Sequence, residues 1–116
     1  MGNFPLLWRD LLRLDPNDPH LVWQPFREGV EIVPLHTVPG RGVCCALLRY
    51  AAGAAVPSHT HTGLEYLIVL RGEQGDERGR YAEGALCINE PGTSHQVSSE
   101  SGCVVLAIWE APVTFD

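Results

Sequence analysis

His59 and His61 stand two apart in the run His59-Thr60-His61, and that spacing is the first feature of this sequence able to do chemistry. Side chains alternate faces along a strand, so residues two apart share a face with Cα atoms about 6.5–7 Å apart. Both imidazoles can then reach one ion. The pair alone carries little weight, because any strand can hold it by chance. Two further residues add to it. Glu65 follows a Thr62-Gly63 turn that lets the next strand swing its acidic side chain back toward the pair, and His95 follows the tight Pro91-Gly92 turn. Three imidazoles with at most one carboxylate suit Fe(II), Zn, Mn, Ni or Cu(II), and the lack of a thiolate argues against a closed structural zinc site. With one or two coordination positions left to water or substrate, such a site can polarise a bound enolate or bind dioxygen.

Strands must position these residues, and the sequence supplies them. Apolar and β-branched runs at Val30–Leu35, Val43–Tyr50, Leu64–Leu70, Ala85–Ile88 and Cys103–Trp109 are separated by Gly, Pro and Asp clusters. Shorter runs at Val56–His61, Arg80–Ala82 and His95–Ser98 bring the expected number to about eight strands, which fits a sandwich or small barrel. Gly53 and Gly72 bracket the first histidine cluster, and Gly84 and Gly92 precede the last, at places where a small barrel bends sharply. Leu67 and Val69 share parity with Glu65, and Val97 with His95, so the wall beside the ion should be apolar. Residues 72–80 read as an acidic surface hairpin with a solvated turn. Ahead of the strands, Leu7, Leu11 and Leu14 recur at helical spacing, predicting one short helix over residues 4–14 that the Asp15-Pro16-Asn17-Asp18-Pro19 run must end. The division expected is an N-terminal helix and loop at 1–21 and a barrel at 22–116.

Composition narrows the function. With 116 residues the chain is one domain in size, and area scaling has about two-thirds of its surface buried on folding. All eight basic residues are arginine, which excludes Schiff-base chemistry and a lysine general base. A net charge of −6 disfavours an electrostatic grip on nucleic acid or an anionic membrane, so neither is expected as a partner. No apolar run approaches the roughly 20 residues of a membrane span and no basic, apolar leader opens the chain, so a cytoplasmic protein is expected. Cys44, Cys45, Cys87 and Cys103 form no C-x-x-C pair, and three of them sit in apolar runs as small buried thiols would. His20 reads as an exposed turn residue and His36 as a rim or interface residue. Arg49, Tyr50, Tyr66 and Trp109 are second catalytic groups only by their polarity.

The long pattern resembles the cupin superfamily. Its first motif is met by Gly53, His59, His61, Glu65 and Gly72, and its second by Gly84, Gly92 and His95. Glu90 stands where a proline is usual, with Pro91 one place later, and Ser99 stands where Asn is usual. A narrower resemblance covers most of residues 22–110. The stretches Ala46–Tyr50, His59–Gly72, Asp76–Gly84 and Pro91–His95 are similar to the cupin domain of the ChrR anti-sigma factor family, and the acetylacetone-cleaving dioxygenases have a similar cupin.

The resemblance implies an all-β fold, a small antiparallel barrel or double-stranded β-helix of jelly-roll type. It implies His59, His61, Glu65 and His95 as ligands of one divalent transition metal ion per chain; in the dioxygenases it implies three histidines binding iron. It also implies a homodimer formed through N-terminal strands, with Leu21–Leu35 the segment concerned. The zinc-binding domain with which ChrR grips its sigma factor has no counterpart in residues 1–21, which hold no cysteine and only His20, so sigma binding is not expected. Two functions follow as expectations: a mononuclear metal-dependent oxygenase acting on a small enolisable carbonyl compound held in the barrel, or a non-catalytic metal-binding sensor module. A metal that only stabilises the barrel is the third.

Overall fold

The computed structural model describes residues 7–115. Its strands run β1 (Gln24–Arg27), β2 (Val30–Val38), β3 (Gly42–Tyr50), β4 (Ala54–His61), β5 (Glu65–Asp76), β6 (Gly79–Ala82), β7 (Leu86–Asn89), β8 (Ser94–Ser99), β9 (Cys103–Trp109) and β10 (Val113–Phe115). All the expected strands are present. The additions are β1, whose four residues are all exposed, and β10, which lies against β4. The strand order is β1-β2-β3-β9-β5-β8-β4-β10, with β6 and β7 beside β5, and every pairing is antiparallel. This is the small antiparallel barrel of jelly-roll type that the resemblance implies.

Strand β5 makes the curl possible, because it belongs to both walls. Its first half pairs with β7 and β9, and its second half with β6 and β8. Between them the register with β9 slips at Leu70, and Gly72 follows with φ +73°. A Cβ at position 72 would stand 2.2 Å from the carbonyl oxygen of Gly102, so both the dihedral and the close approach demand glycine.

The strands are two-faced, and each face has its own core. Inside lie Val30, Ile32, Ala46, Leu48, Tyr50, Val56, Leu67, Val69, Val97 and Val105. Outside, Val33, Leu35, Leu47, Leu70 and Leu106 form a second apolar patch, which Leu11, Leu14, Leu21 and Trp23 of the N-terminal segment cover. Burying each large aliphatic side chain contributes about 1.5–3 kcal/mol, so the segment is held mainly by this contact.

That segment corrects one expectation. Of the helix predicted over residues 4–14, residues 4–6 lie outside the described residues and 7–10 carry no helix; only a 3-10 turn at Leu11–Arg13 forms. Asp10 sits in the left-handed region with φ 56°, which interrupts a right-handed ladder. The carbonyls of Leu12 and Leu14 accept from Arg71 Nη1 and Nη2 at 2.9 and 2.8 Å. Tertiary contact with the outer sheet has overridden a short helical pattern.

Among the described residues no helix is long and apolar enough to cross a membrane. All four cysteines are free; Cys87 and Cys103 are buried, and burial pushes the Cys103 thiol up to about 11.

A candidate metal centre

The end of β4 brings His59 and His61 to the interior. Its register with β8 slips between Val56 and His59, and beyond the slip His59 lies directly opposite His95. The spacing argument therefore holds: the two rings of the His-x-His pair share a face, with centroids 5.3 Å apart, and His95 lies 4.6 Å from His59 and 4.7 Å from His61. All three are buried, and one ligand atom from each falls within 4.8 Å of the others.

Each ring is oriented through its Nδ1. His59 Nδ1 lies 2.9 Å from the carbonyl oxygen of Pro57, and His61 Nδ1 lies 3.0 Å from that of Thr93. His95 Nδ1 lies 3.0 Å from Asp76 Oδ2. A carbonyl or carboxylate oxygen can only accept, so each Nδ1 carries a proton and Nε2 is the ring nitrogen that faces the centre. Gly92, with φ +89°, makes the turn that delivers Thr93 to His61.

The Nε2 atoms create a demand for positive charge. Those of His59 and His95 are 3.0 Å apart, and that of His61 is buried without a hydrogen-bond partner. His61 Nε2 is 3.5 Å from Glu65 Oε1, an electrostatic contact beyond ordinary hydrogen-bond length. One cation among the rings answers all of these lone pairs, so the donor set fits a divalent transition metal.

Glu65 opens β5, and β7 and β9 flank it in register. Asn89 and Trp109 are its direct cross-strand neighbours. Asn89 Nδ2 donates to Oε1 at 2.8 Å and the Trp109 indole N–H donates to Oε2. Burial pulls the Glu65 carboxyl up, but His61, Trp109 and Asn89 outweigh it and hold the acid below its ordinary range. The same contact with Glu65 raises His61 against the opposing effect of burial, while burial lowers His59.

Asp76 is the residue that the sequence hides. It lies in the stretch expected to be a solvated turn, yet its side chain is only 3% exposed. Asp76 closes β5, and the turn that follows is confined to Glu77 and Arg78. Gln74, two residues earlier, is buried as well, because the slip at Leu70 passes the inward face of β5 to the even positions, a change that the sequence does not signal. Arg78 Nη2 and the Tyr81 hydroxyl both donate to Asp76 alongside His95. Burial raises the Asp76 carboxyl, and these donors overcome it, leaving the acid far below the usual carboxylate range.

A cavity of about 420 Å³ opens beside the rings, lined by His59, Glu65 and His95 and walled by Leu48, Leu67, Val97 and Phe115 among others. The apolar wall expected from strand parity is present at Leu67 and Val97, while Val69 is packed wholly into the core. Of the residues singled out by polarity, Tyr50 and Trp109 line the cavity. Arg49 instead pairs with Glu31 at 2.8 Å and stacks on Trp23, and Tyr66 is exposed. His20 and His36 are exposed and stand apart from the triad.

The sequence profile of the ChrR cupin-like domain matches residues 16–111. The chain belongs to that family. This ChrR-like cupin is 35% identical over 96 residues to the anti-sigma-E factor ChrR of Cereibacter sphaeroides, a match covering 81% of this chain and 44% of that protein. It therefore spans under half the length of its curated relative. Among solved structures, ChrR in complex with SigE from Rhodobacter sphaeroides superposes with a TM-score of 0.67 at 30% identity, covering 90% of this chain and 54% of that one. An acetylacetone dioxygenase from Acinetobacter johnsonii superposes with a TM-score of 0.74 at 17% identity, covering 99% and 83%, a likeness of fold.

Proposed function

We propose that this ChrR-like cupin binds one divalent transition metal ion through Nε2 of His59, His61 and His95, with Glu65 beside them as the fourth ligand, and uses it as an oxygenase on a small enolisable carbonyl compound. One observation carries the metal reading: three buried rings committed at Nδ1, with Nε2 atoms converging and that of His61 lacking a hydrogen-bond partner. Bound there, the ion would supply Lewis-acid polarisation of a carbonyl or enolate oxygen and access to redox chemistry. The chain's own contribution is to orient the three rings, to hold Glu65 ionised between Asn89 and Trp109, and to enclose the substrate in a mainly apolar cavity that displaces water.

The cavity supports a compact, partly apolar ligand. Its volume of about 420 Å³ falls in the range of small-molecule sites. Tyr50, the phenol on its wall, is pushed well above its ordinary value by burial, which suits it to donate a hydrogen bond and not to take a proton at neutral pH.

The second reading is a metal-loaded sensor module without turnover. It is favoured by the anti-sigma factor among the relatives and by the lack, among the described residues, of a cavity-lining base outside the histidine cluster and Glu65. The two part in one experiment. Metal content is measured in freshly purified protein, and the Fe(II)-loaded form is given a panel of β-dicarbonyl compounds in an oxygen electrode. Substrate-dependent oxygen uptake supports the oxygenase; a bound metal with no uptake across the panel favours the sensor. Protein that holds no metal and takes up neither Fe(II), Mn(II) nor Zn(II) would sink both.

A further inference from the structure

We infer that Arg78 is a positioning residue for the metal centre, fixing His95 and Glu65 together from one guanidinium at the tip of the β5–β6 hairpin. The inference rests on the metal reading proposed above. Two hydrogen-bonded arms leave Arg78. On one, Nη2 donates to Asp76 Oδ2 at 2.8 Å, Nε lies 3.2 Å from the same oxygen, and Asp76 Oδ2 holds Nδ1 of His95 at 3.0 Å. On the other, Nη2 donates to Asn89 Oδ1 at 2.7 Å, and Asn89 Nδ2 donates to Glu65 Oε1 at 2.8 Å.

The second arm makes the guanidinium more than a charge. An amide side chain can present either its oxygen or its nitrogen to a neighbour. Arg78 has only donors, so Asn89 must turn Oδ1 toward it and therefore Nδ2 toward Glu65. The Glu65 carboxylate, an acceptor only, selects the same orientation from the other side, so without Arg78 the amide loses one of its two anchors and Oδ1 is left without its donor. The backbone N–H of Arg78 also donates to Asp76 Oδ1 at 2.8 Å, which fixes the hairpin tip on the same carboxylate. The Asp76 side chain and Asn89 are buried while the Arg78 side chain is 50% exposed, so one surface residue reaches two buried supports. These groups, with His61, Thr93 and His95, line a separate pocket of about 220 Å³. A planar fork meets two acceptors in different directions, which a single ammonium does less well.

The test uses the full chain loaded with Co(II), reading affinity by chelator competition and ligand geometry by the visible absorption spectrum. Arg78→Ala is expected to weaken Co(II) binding by about 10–100-fold and to shift the spectrum, the effect usual for a lost outer partner of a metal ligand. Asn89→Leu is expected to weaken binding too, and by a smaller factor when Arg78 is already alanine, since both act on Glu65 by one route. A folded Arg78→Ala protein with wild-type affinity and an unchanged spectrum would overturn the inference. If Arg78→Ala does not fold, Arg78→Lys is read in the same way: a weakened, shifted site supports the bridge and an unaltered one refutes it. Wild-type protein that binds no Co(II) removes the metal reading itself, and this inference with it.

Discussion

The Nε2 atoms of His59 and His95 stand 3.0 Å apart, although the Nδ1 of each ring already faces an oxygen acceptor. A contact so close needs a proton or a metal ion between the two nitrogens, and the strongest consequence of the metal reading is dependence of metal on each ring. His61→Ala should lose most of the bound metal, measured as metal per chain by mass spectrometry, with the fold retained by circular dichroism. Full occupancy in that variant would remove His61 from the ligand set.

Acid should release the metal, because an imidazole coordinates only when neutral. His61 is raised by its contact with Glu65, so protons begin to compete there at a pH above the ordinary histidine value near 6.5. His59, lowered by burial, gives up its proton more readily and limits retention less. Retained metal measured after dialysis from pH 8 to pH 5 should fall, and Glu65→Gln should move the proton competition at His61 to lower pH while weakening the metal directly. Retention that is flat across this range would contradict the ring assignment.

Asp76 should govern acid stability of the metal-free protein. Its folded-state acidity is stronger than that of an unfolded aspartate, so its stabilisation is present above the unfolded value near 3.8 and is lost as pH falls toward the lower folded value. Asp76→Asn should therefore destabilise at neutral pH by about 1–3 kcal/mol, the range for losing charge-assisted hydrogen bonds. It should also flatten the fall of stability below pH 4. Urea denaturation at pH 7, 5, 4 and 3 measures both.

Removing residues 1–21 should lower solubility and stability together. The segment covers Val33, Leu35, Leu47, Leu70 and Leu106, and its carbonyls occupy Arg71. Light scattering on a 22–116 variant should show association, and Arg71→Ala in the full chain should cost stability without it. A monomeric, fully stable 22–116 variant would show that the outer patch needs no cover.

The fold was legible because its strands are short, apolar and punctuated by glycine and proline, and strand parity is a local property. The same parity exposed His59 and His61, and the longer pattern added Glu65 and His95. What escaped depends on register. Nothing within β5, β7 or β9 alone says that Asn89 and Trp109 flank Glu65, because that pairing joins strands distant in the chain. Asp76 escaped for another reason: a charge run suggests a solvated turn, and its burial follows only because the slip at Leu70 moves the inward face of β5 from Glu65, Leu67 and Val69 to Gln74 and Asp76. The helix expected over 4–14 failed where Leu11 and Leu14 found a sheet to cover and the carbonyls of Leu12 and Leu14 found Arg71.

Part of the cavity's lining comes from strands that carry none of the candidate ligands. Gln24, Phe26 and Arg27 come from β1, Phe115 from β10 and Pro112 from the turn before it, and the strand order places β1 and β10 at its two ends. Phe115 is tied to the histidines, pairing with His59 across the two strands with its ring 5.5 Å from that imidazole, whereas Gln24, Phe26 and Arg27 hydrogen-bond neither to the triad nor to Glu65. A lineage could therefore exchange the β1 residues to admit new ligands while inheriting the histidine cluster intact, which gives this small barrel room to diverge in specificity without rebuilding its centre.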